Sequence, residues 1–172
     1  MEGDKTRRFE ALVLPHLDVA YNLARWLTRS DQDADDVVQE AFLRAFRFLD
    51  GMHGESGRAW LLTIVRNTAM SWLQDGRAST ATREFDATRH GQAHTDGPET
   101  QLARKDTREQ VNAALRKLPV EFREVLVLRE MEDLSYREIA EIAAIPIGTV
   151  MSRLSRARRD FAALLAKEDC NG

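Results

Sequence analysis

Residues 135–159, SYREIAEIAAIPIGTVMSRLSRARR, decide the fold of the second half of the chain. Ser135 precedes Glu138 by three positions, which is the spacing of a capping box at a helix start. The inner stripe of that helix is predicted to consist of Ile139, Ala140 and Ala143. The stretch therefore begins with a short, well-defined amphipathic helix.

A tight turn follows this helix. Pro146 and Gly148 interrupt the helical pattern, and a second helix is predicted to start near Ile147 or Thr149. Two short helices joined by a tight turn are typical of the helix-turn-helix motif, whose second helix enters the DNA major groove. Ala144 occupies the turn position where a glycine is common, so we expect either some backbone strain there or a slightly different turn.

The second helix has two chemically different faces. At about 100° per residue, one face collects the apolar residues Val150, Leu154, Ala157 and Phe161. The other face carries hydroxyl and guanidinium groups, which hydrogen-bond bases and phosphates. The candidate DNA-contacting residues are Thr149, Ser152, Arg153, Ser155, Arg156 and Arg159. Arginines on a helix can also be merely a solvated face, but the capping box and the turn favour DNA contact.

Composition places the chain among soluble proteins. It has 172 residues, of which 43% are hydrophobic and 31% charged, enough for one domain or two small ones. It has no run of 18 apolar residues and no signal-peptide pattern, so we expect no membrane insertion and a cytoplasmic location. Cys170 is the only cysteine, which excludes an internal disulfide.

Charge is distributed unevenly. The net charge is −3 over residues 1–75, −1 over 76–103 and +1 over 104–172. A protein that holds DNA by itself usually has a basic excess. We therefore expect weak DNA binding alone, or binding with a partner that neutralises many of the phosphates.

The periodicity predicts an all-α protein with two small helical domains. Residues 76–103 are rich in Ser, Thr, Gly, His and Asp, and we interpret them as a flexible linker between domains at 1–75 and 104–172. The 27 residues of its polar core span at most about 90–95 Å. The predicted helices lie at about 5–28, 33–49, 58–75, 104–116, 119–131, 135–143 and 147–166.

Three stretches resemble a known family. The sequence LPVEFREVLVLREMEDLSYREIAEIAAIPIGTVMSRLSRARR resembles region 4 of the extracytoplasmic-function (ECF) sigma factors, which are small members of the sigma-70 family. In the first half, DADDVVQEAFLRAF resembles region 2.2 of that family and AWLLTIVRNTAMSWL resembles regions 2.3 and 2.4. The resemblance covers nearly the whole chain apart from the linker and the extreme C-terminus.

The resemblance implies a non-enzymatic function without a cofactor. A sigma factor directs bacterial core RNA polymerase to promoters: region 2 binds the polymerase and the −10 element, and region 4 binds the −35 element. It also implies a dedicated anti-sigma factor and a stress-related signal. We expect the free chain to be a monomer.

The resemblance and the helical face pattern together suggest residues for the first domain. The polymerase-binding candidates are Asp36, Gln39, Glu40, Leu43 and Arg47, whereas Phe42 is expected to be a core residue. The −10 candidates lie in the glycine-containing loop and on the helix after it: His53, Glu55, Ser56, Arg58, Thr63, Arg66, Asn67 and Met70. Capturing a flipped base needs exposed hydrogen-bonding groups and a closely approaching backbone.

Two other classes of protein remain open at this point. A free-standing helix-turn-helix regulator would bind its operator without polymerase, usually as a dimer. An enzyme built on the first half would need a phosphate loop, metal-ligand spacing or a nucleophile–base pair, and none is evident. His90 and His94 are four residues apart but lack further clear ligands, so no metal is expected.

Overall fold

The structure is a computed structural model that describes residues 2–52, 56–76 and 98–171. Every regular element in those ranges is helical, which confirms the all-α prediction. The α-helices are Glu2–Val13 (α1), Leu17–Thr28 (α2), Asp31–Arg47 (α3), Gly57–Gln74 (α4), Pro98–Lys117 (α5), Val120–Leu126 (α6), Tyr136–Ala143 (α7) and Ile147–Asn171 (α8).

The first group of helices packs α2, α3 and α4 against one another, with α1 alongside α4. The buried hydrophobic side chains are small or aliphatic apart from Trp26 of α2, and include Leu23, Val37, Leu61 and Val65. Two serines start helices by accepting a backbone hydrogen bond: Ser30 from the Asp33 N–H and Ser56 from the Ala59 N–H, both at 3.2 Å. The helix predicted at about 33–49 therefore begins at Asp31, with Ser30 as its N-cap.

The prediction of one continuous helix over 5–28 is wrong. The chain forms α1, then a short 3-10 turn at Leu14–His16 that contains Pro15, and then α2. Proline has no N–H, and its ring clashes with the preceding turn of an α-helix, so the helix breaks there.

The second group comprises α5 to α8. The capping box is formed in both directions: the Ser135 hydroxyl accepts from the Glu138 N–H, and the Glu138 carboxylate accepts from the Ser135 N–H, each at 3.1 Å. Ala144 ends α7 with φ 56° and ψ 47°, in the left-handed region. The strained turn predicted at Ala144 is therefore present, and α7 and α8 form the helix-turn-helix.

Two boundaries in the second group differ from the sequence interpretation. Helix α5 begins at Pro98, inside the range interpreted as linker, while residues 77–97 of that range lie outside the described residues. The predicted helix over 119–131 divides into α6 and a π-helical segment at Val127–Met131. A side-chain hydrogen bond from Arg129 Nη1 to the Leu134 carbonyl, at 2.8 Å, supports the chain where that segment ends.

The two groups pack against each other. Helix α2 contacts α6 and the π-helical segment, and α4 contacts α7. We call this set of contacts the interdomain junction, and we call the structure in which it is formed the closed arrangement.

We expect Gly57→Ala to destabilise the first group by about 1–3 kcal/mol, because overpacking a close backbone contact forces a shift. A Cβ at Gly57 would lie 2.6 Å from the Leu12 carbonyl oxygen of α1. Chemical denaturation followed by circular dichroism measures the loss. Gly51→Ala is the matched control, since a Cβ there meets nothing within 4 Å. Equal stability of the two variants would contradict the close approach of α1 and α4.

Candidate nucleic-acid interface

Helix α8 carries the face predicted to contact DNA. Val150, Leu154 and Ala157 are buried, and Phe161 is partly buried against the same core. On the opposite side Ser152, Ser155, Arg156 and Arg159 are exposed, whereas Thr149 and Arg153 are half-buried. The structure therefore brings four of the six predicted residues to one accessible face, with Arg153 turned partly inward.

One neighbouring arginine belongs to a different contact. Arg158 donates from Nε and Nη2 to one oxygen of Glu130, at 3.0 and 2.8 Å, within the second group. This contact links α8 to the π-helical segment. Arg158 is exposed like Arg156 and Arg159, but its guanidinium is engaged by Glu130. Periodicity alone does not separate these three arginines.

Helix α4 carries the predicted −10 residues, and its exposure is more limited. Asn67 is exposed, while Thr63, Arg66 and Met70 are half-buried. The Thr63 hydroxyl donates to the Ala59 carbonyl at 2.8 Å, and Met70 packs on the core. Of the four, Asn67 is the residue most available for a base.

The loop before α4 is described only in part. Ser56 is exposed and caps α4, and Arg58 is half-buried. The predicted −10 residues His53 and Glu55 lie outside the described residues. The role of the glycine-containing loop in capturing a flipped base therefore stays a prediction.

Helix α3 presents a continuous exposed stripe. Asp36, Gln39, Leu43 and Arg47 are exposed, and Leu43 retains 73% of its accessible surface. The Glu40 carboxylate, half-buried, accepts from Arg44 Nη2 at 2.8 Å. Phe48, which is 58% exposed just after α3, extends the apolar part of this surface and was missed by the sequence analysis. Phe42 is partly buried against the core.

The interdomain junction engages Arg66. Its Nε donates to Glu124 Oε1 of α6 at 2.6 Å, and the Glu124 side chain is fully buried. Burial raises the pKa of Glu124, while the hydrogen bond from Arg66 and the charges of Arg66 and Arg153 act to lower it. Glu124 thus pairs with Arg66, a predicted −10 residue. The charge of Arg153, a predicted −35 residue, also acts on its pKa.

Two further contacts cross the junction beside α7. Arg58 Nη2 lies 3.9 Å from Glu138 Oε2. Asn22 Nδ2 of α2 donates to Glu132 Oε1 at 2.6 Å. Burial raises the pKa of Glu132, opposed by the Asn22 hydrogen bond and by the charge of Arg58. Arg58 therefore stands near two carboxylates of the second group.

Arg123 links the two groups of helices by hydrogen bonds to backbone carbonyls. It is buried in α6 and donates to the Trp26 carbonyl at 2.5 Å and the Leu27 carbonyl at 3.3 Å, near the end of α2. It also donates to the Leu118 carbonyl of its own group at 2.9 Å. Burial lowers the pKa of Arg123 to about 10, which leaves the guanidinium charged at neutral pH.

The described part of the chain offers no metal-binding cluster of three or more His, Cys, Asp or Glu side chains. His90 and His94 lie outside it. None of the described helices combines the length and the apolar character needed to cross a bilayer.

Family models match both halves of the chain. Residues 12–79 match Sigma-70 region 2, and residues 108–161 match Sigma-70, region 4. The two matches contain α2–α4 and the helix-turn-helix, respectively. The resemblance found in the sequence is thus confirmed for both domains.

Characterised relatives and solved structures agree with this assignment. The RNA polymerase sigma-H factor of Pseudomonas aeruginosa is 36% identical over 164 residues, covering 91% of this chain and 84% of that protein. The ECF RNA polymerase sigma-E factor of Escherichia coli K12 is 35% identical over 166 residues, covering 91% and 85%.

Two solved structures match both groups of helices together. The sigma factor RpoE of Bartonella quintana, in complex with the anti-sigma factor NepR, has a TM-score of 0.68 and 28% identity, covering 92% of this chain and 96% of that one. CnrH, in complex with the cytosolic domain of CnrY, has a TM-score of 0.67 and 30% identity, covering 94% and 90%. The chain belongs to the ECF sigma factors of the sigma-70 family, which are transcription initiation factors and not enzymes.

Proposed function

We propose that this chain directs bacterial core RNA polymerase to promoters through three separate surfaces. The exposed stripe of α3 binds the polymerase, α4 and the loop before it bind the −10 element, and the exposed face of α8 binds the −35 element. The observation that carries the proposal is α8 itself. Its apolar face is buried while Ser152, Ser155, Arg156 and Arg159 remain accessible, in a chain that matches both sigma regions.

The charge of the chain favours this function over a free-standing regulator. The net charge is −3, and Arg58 and Arg66 are engaged by carboxylates of the same chain. A protein with a net negative charge depends on a partner for much of its affinity for DNA. Core RNA polymerase is that partner.

An anti-sigma factor is the second proposed partner. The two solved relatives were determined with NepR and with the cytosolic domain of CnrY, and both resemble this chain across its two domains. By analogy, a regulator of this chain acts in the cytoplasm, binds both domains and keeps the sigma factor from the polymerase until a stress signal arrives. The free chain is proposed to be a monomer.

Transcription in vitro tests the function directly. Core polymerase without its own sigma factor is mixed with this protein and with a library of upstream DNA from the source genome. The expected result is a set of discrete transcripts that require the added protein, with start sites that define both promoter elements. Absence of transcripts together with absence of polymerase binding would overturn the proposal.

Arg156→Ala should weaken transcription from −35-dependent promoters, with a loss of about 1–3 kcal/mol in promoter binding by the holoenzyme, because one guanidinium contact is removed. Promoter binding is measured by titrating holoenzyme against labelled duplex. Arg158→Ala is the control, because Glu130 holds that guanidinium inside region 4. If the two variants lose affinity equally, the assignment of the DNA-facing side of α8 is wrong.

Asn67→Ala should reduce open-complex formation by roughly tenfold, since a side-chain amide that hydrogen-bonds a base contributes about 1–3 kcal/mol, and it should leave polymerase affinity unchanged. Permanganate footprinting measures the melted region. Gln74→Ala, at an exposed position on the same helix, should behave as wild type. A parallel loss of polymerase affinity would instead indicate that Asn67 supports the fold.

Asp36→Arg should weaken binding to core polymerase by roughly tenfold or more, because charge reversal inside an interface costs on the order of several kcal/mol. Binding is measured by titrating labelled protein with core polymerase. Asp35→Arg is the control. It makes the same charge change at the preceding residue, which is also exposed but lies on a different side of α3, so its binding should match the wild type. Indistinguishable binding of the wild type and Asp36→Arg would remove Asp36 from the polymerase surface.

A further inference from the structure

Two large apolar side chains are uncovered at the start of α8, the second helix of the helix-turn-helix. Ile147 is 45% exposed and Met151 is 55% exposed, whereas Val150 and Leu154 of the same helix are buried. Neither exposed side chain belongs to the buried core that the described residues form. Met151 follows Ile147 by four positions, so the two are neighbours on the surface of α8. We call this pair the apolar flank.

The apolar flank borders the surface proposed to bind the −35 element. At about 100° per residue, Met151 lies about 40° from Ser155 around the helix axis and about 80° from Arg159. Both of those residues are exposed. Gly148 is exposed at the same end of the helix and has no side chain that would hold DNA away. The first turns of α8 are therefore accessible to DNA on this side.

The chemistry of the accessible face changes around the helix. Going away from the apolar flank, the hydroxyl of Ser155 comes first, and Arg159, Ser152 and Arg156 follow. Guanidinium groups bind phosphate or guanine, and hydroxyl groups bind bases or phosphates. The apolar flank has neither a charge nor a hydrogen-bond donor, so a phosphate gains nothing from contact with it. Its ligand must itself be apolar.

Thymine carries the methyl group that projects into the major groove of DNA. The edges of the base pairs otherwise present hydrogen-bond donors and acceptors there, and apolar side chains contact the thymine C5-methyl group. In helix-turn-helix proteins the N-terminal residues of the second helix contact base edges. The apolar flank occupies that end of α8, which begins at Ile147. Methionine is unbranched and polarizable, so its side chain adapts to the shape of an apolar neighbour.

We propose that Met151, with Ile147 beside it, reads the C5-methyl group of a thymine in the −35 element. The inference rests on the proposed function, because it takes the exposed face of α8 as the −35 surface. It adds a base identity that the arginines and serines do not supply: one position of the element is a thymine, selected by apolar contact. Burying one methyl group corresponds to about a fourfold gain in affinity.

Deoxyuridine allows a test that changes this methyl group alone. It keeps the base pairing and the O4 acceptor of thymine, but a hydrogen replaces the C5-methyl group. Each thymine of the −35 element, in a promoter mapped by transcription, is replaced in turn by deoxyuridine. Holoenzyme formed from core polymerase and the full chain is titrated against each labelled duplex. Wild-type holoenzyme should lose about fourfold in affinity at one thymine.

Met151→Ala should weaken binding to the thymine duplex by about fourfold, and it should no longer distinguish thymine from deoxyuridine at that position. The two losses should not add, which is how a double-mutant cycle identifies a direct contact. Met151→Leu preserves the apolar volume and should keep the discrimination. Met131→Ala is the matched control, because it removes another exposed methionine of region 4, on the π-helical segment, and it should keep the discrimination as well.

Two results would overturn the inference. Wild-type affinity that no deoxyuridine replacement changes, or a −35 element without thymine, would show that no methyl group is read. Discrimination that persists in Met151→Ala would assign the methyl contact to another residue. If that variant also binds core polymerase more weakly without DNA, the apolar flank is a protein-binding surface instead.

Failure of the proposed function is distinguishable from failure of this inference. Absence of polymerase-dependent transcripts would overturn the proposed function, and the inference with it. Transcripts from a promoter with no methyl-dependent position would overturn the inference alone.

Discussion

The hydrogen bonds of Arg123 are the constraint on which the closed arrangement depends. One guanidinium group donates to the carbonyls of Trp26 and Leu27, near the end of α2, and to the carbonyl of Leu118 in its own domain. Carbonyls near a helix C-terminus lack intrahelical donors and carry partial negative charge, so a buried cation is favourable there. Because these acceptors are backbone atoms, their positions are set by the fold of both domains at once.

The neighbouring Glu124 adds an ion pair to the interdomain junction. Arg123 brings α6 against α2, and the next residue then meets Arg66 on α4. A fully buried carboxylate pays a large desolvation cost, which the ion pair only partly offsets, and the pKa of Glu124 is accordingly raised. Such a contact is suited to a reversible junction, since its charges regain water or meet DNA when the domains separate.

The local features of the structure follow from the sequence, and the junction does not. The capping box at Ser135 and the two faces of α8 were predictable because they depend on residues a few positions apart. The break at Pro15 was missed because an apolar helical pattern continues on both sides of it. Asn22 and Glu132 are 110 positions apart, and no periodicity indicates that they meet. The half-buried states of Arg58 and Arg66 have the same long-range origin.

The measurement that tests this account most directly is the interdomain distance of the wild-type chain, free and bound to core polymerase. The account predicts high energy transfer between region 2 and region 4 in the free chain. It predicts low transfer in an active holoenzyme, because the domains must then reach two separate promoter elements. Equal, high transfer in a holoenzyme that initiates transcription would contradict it.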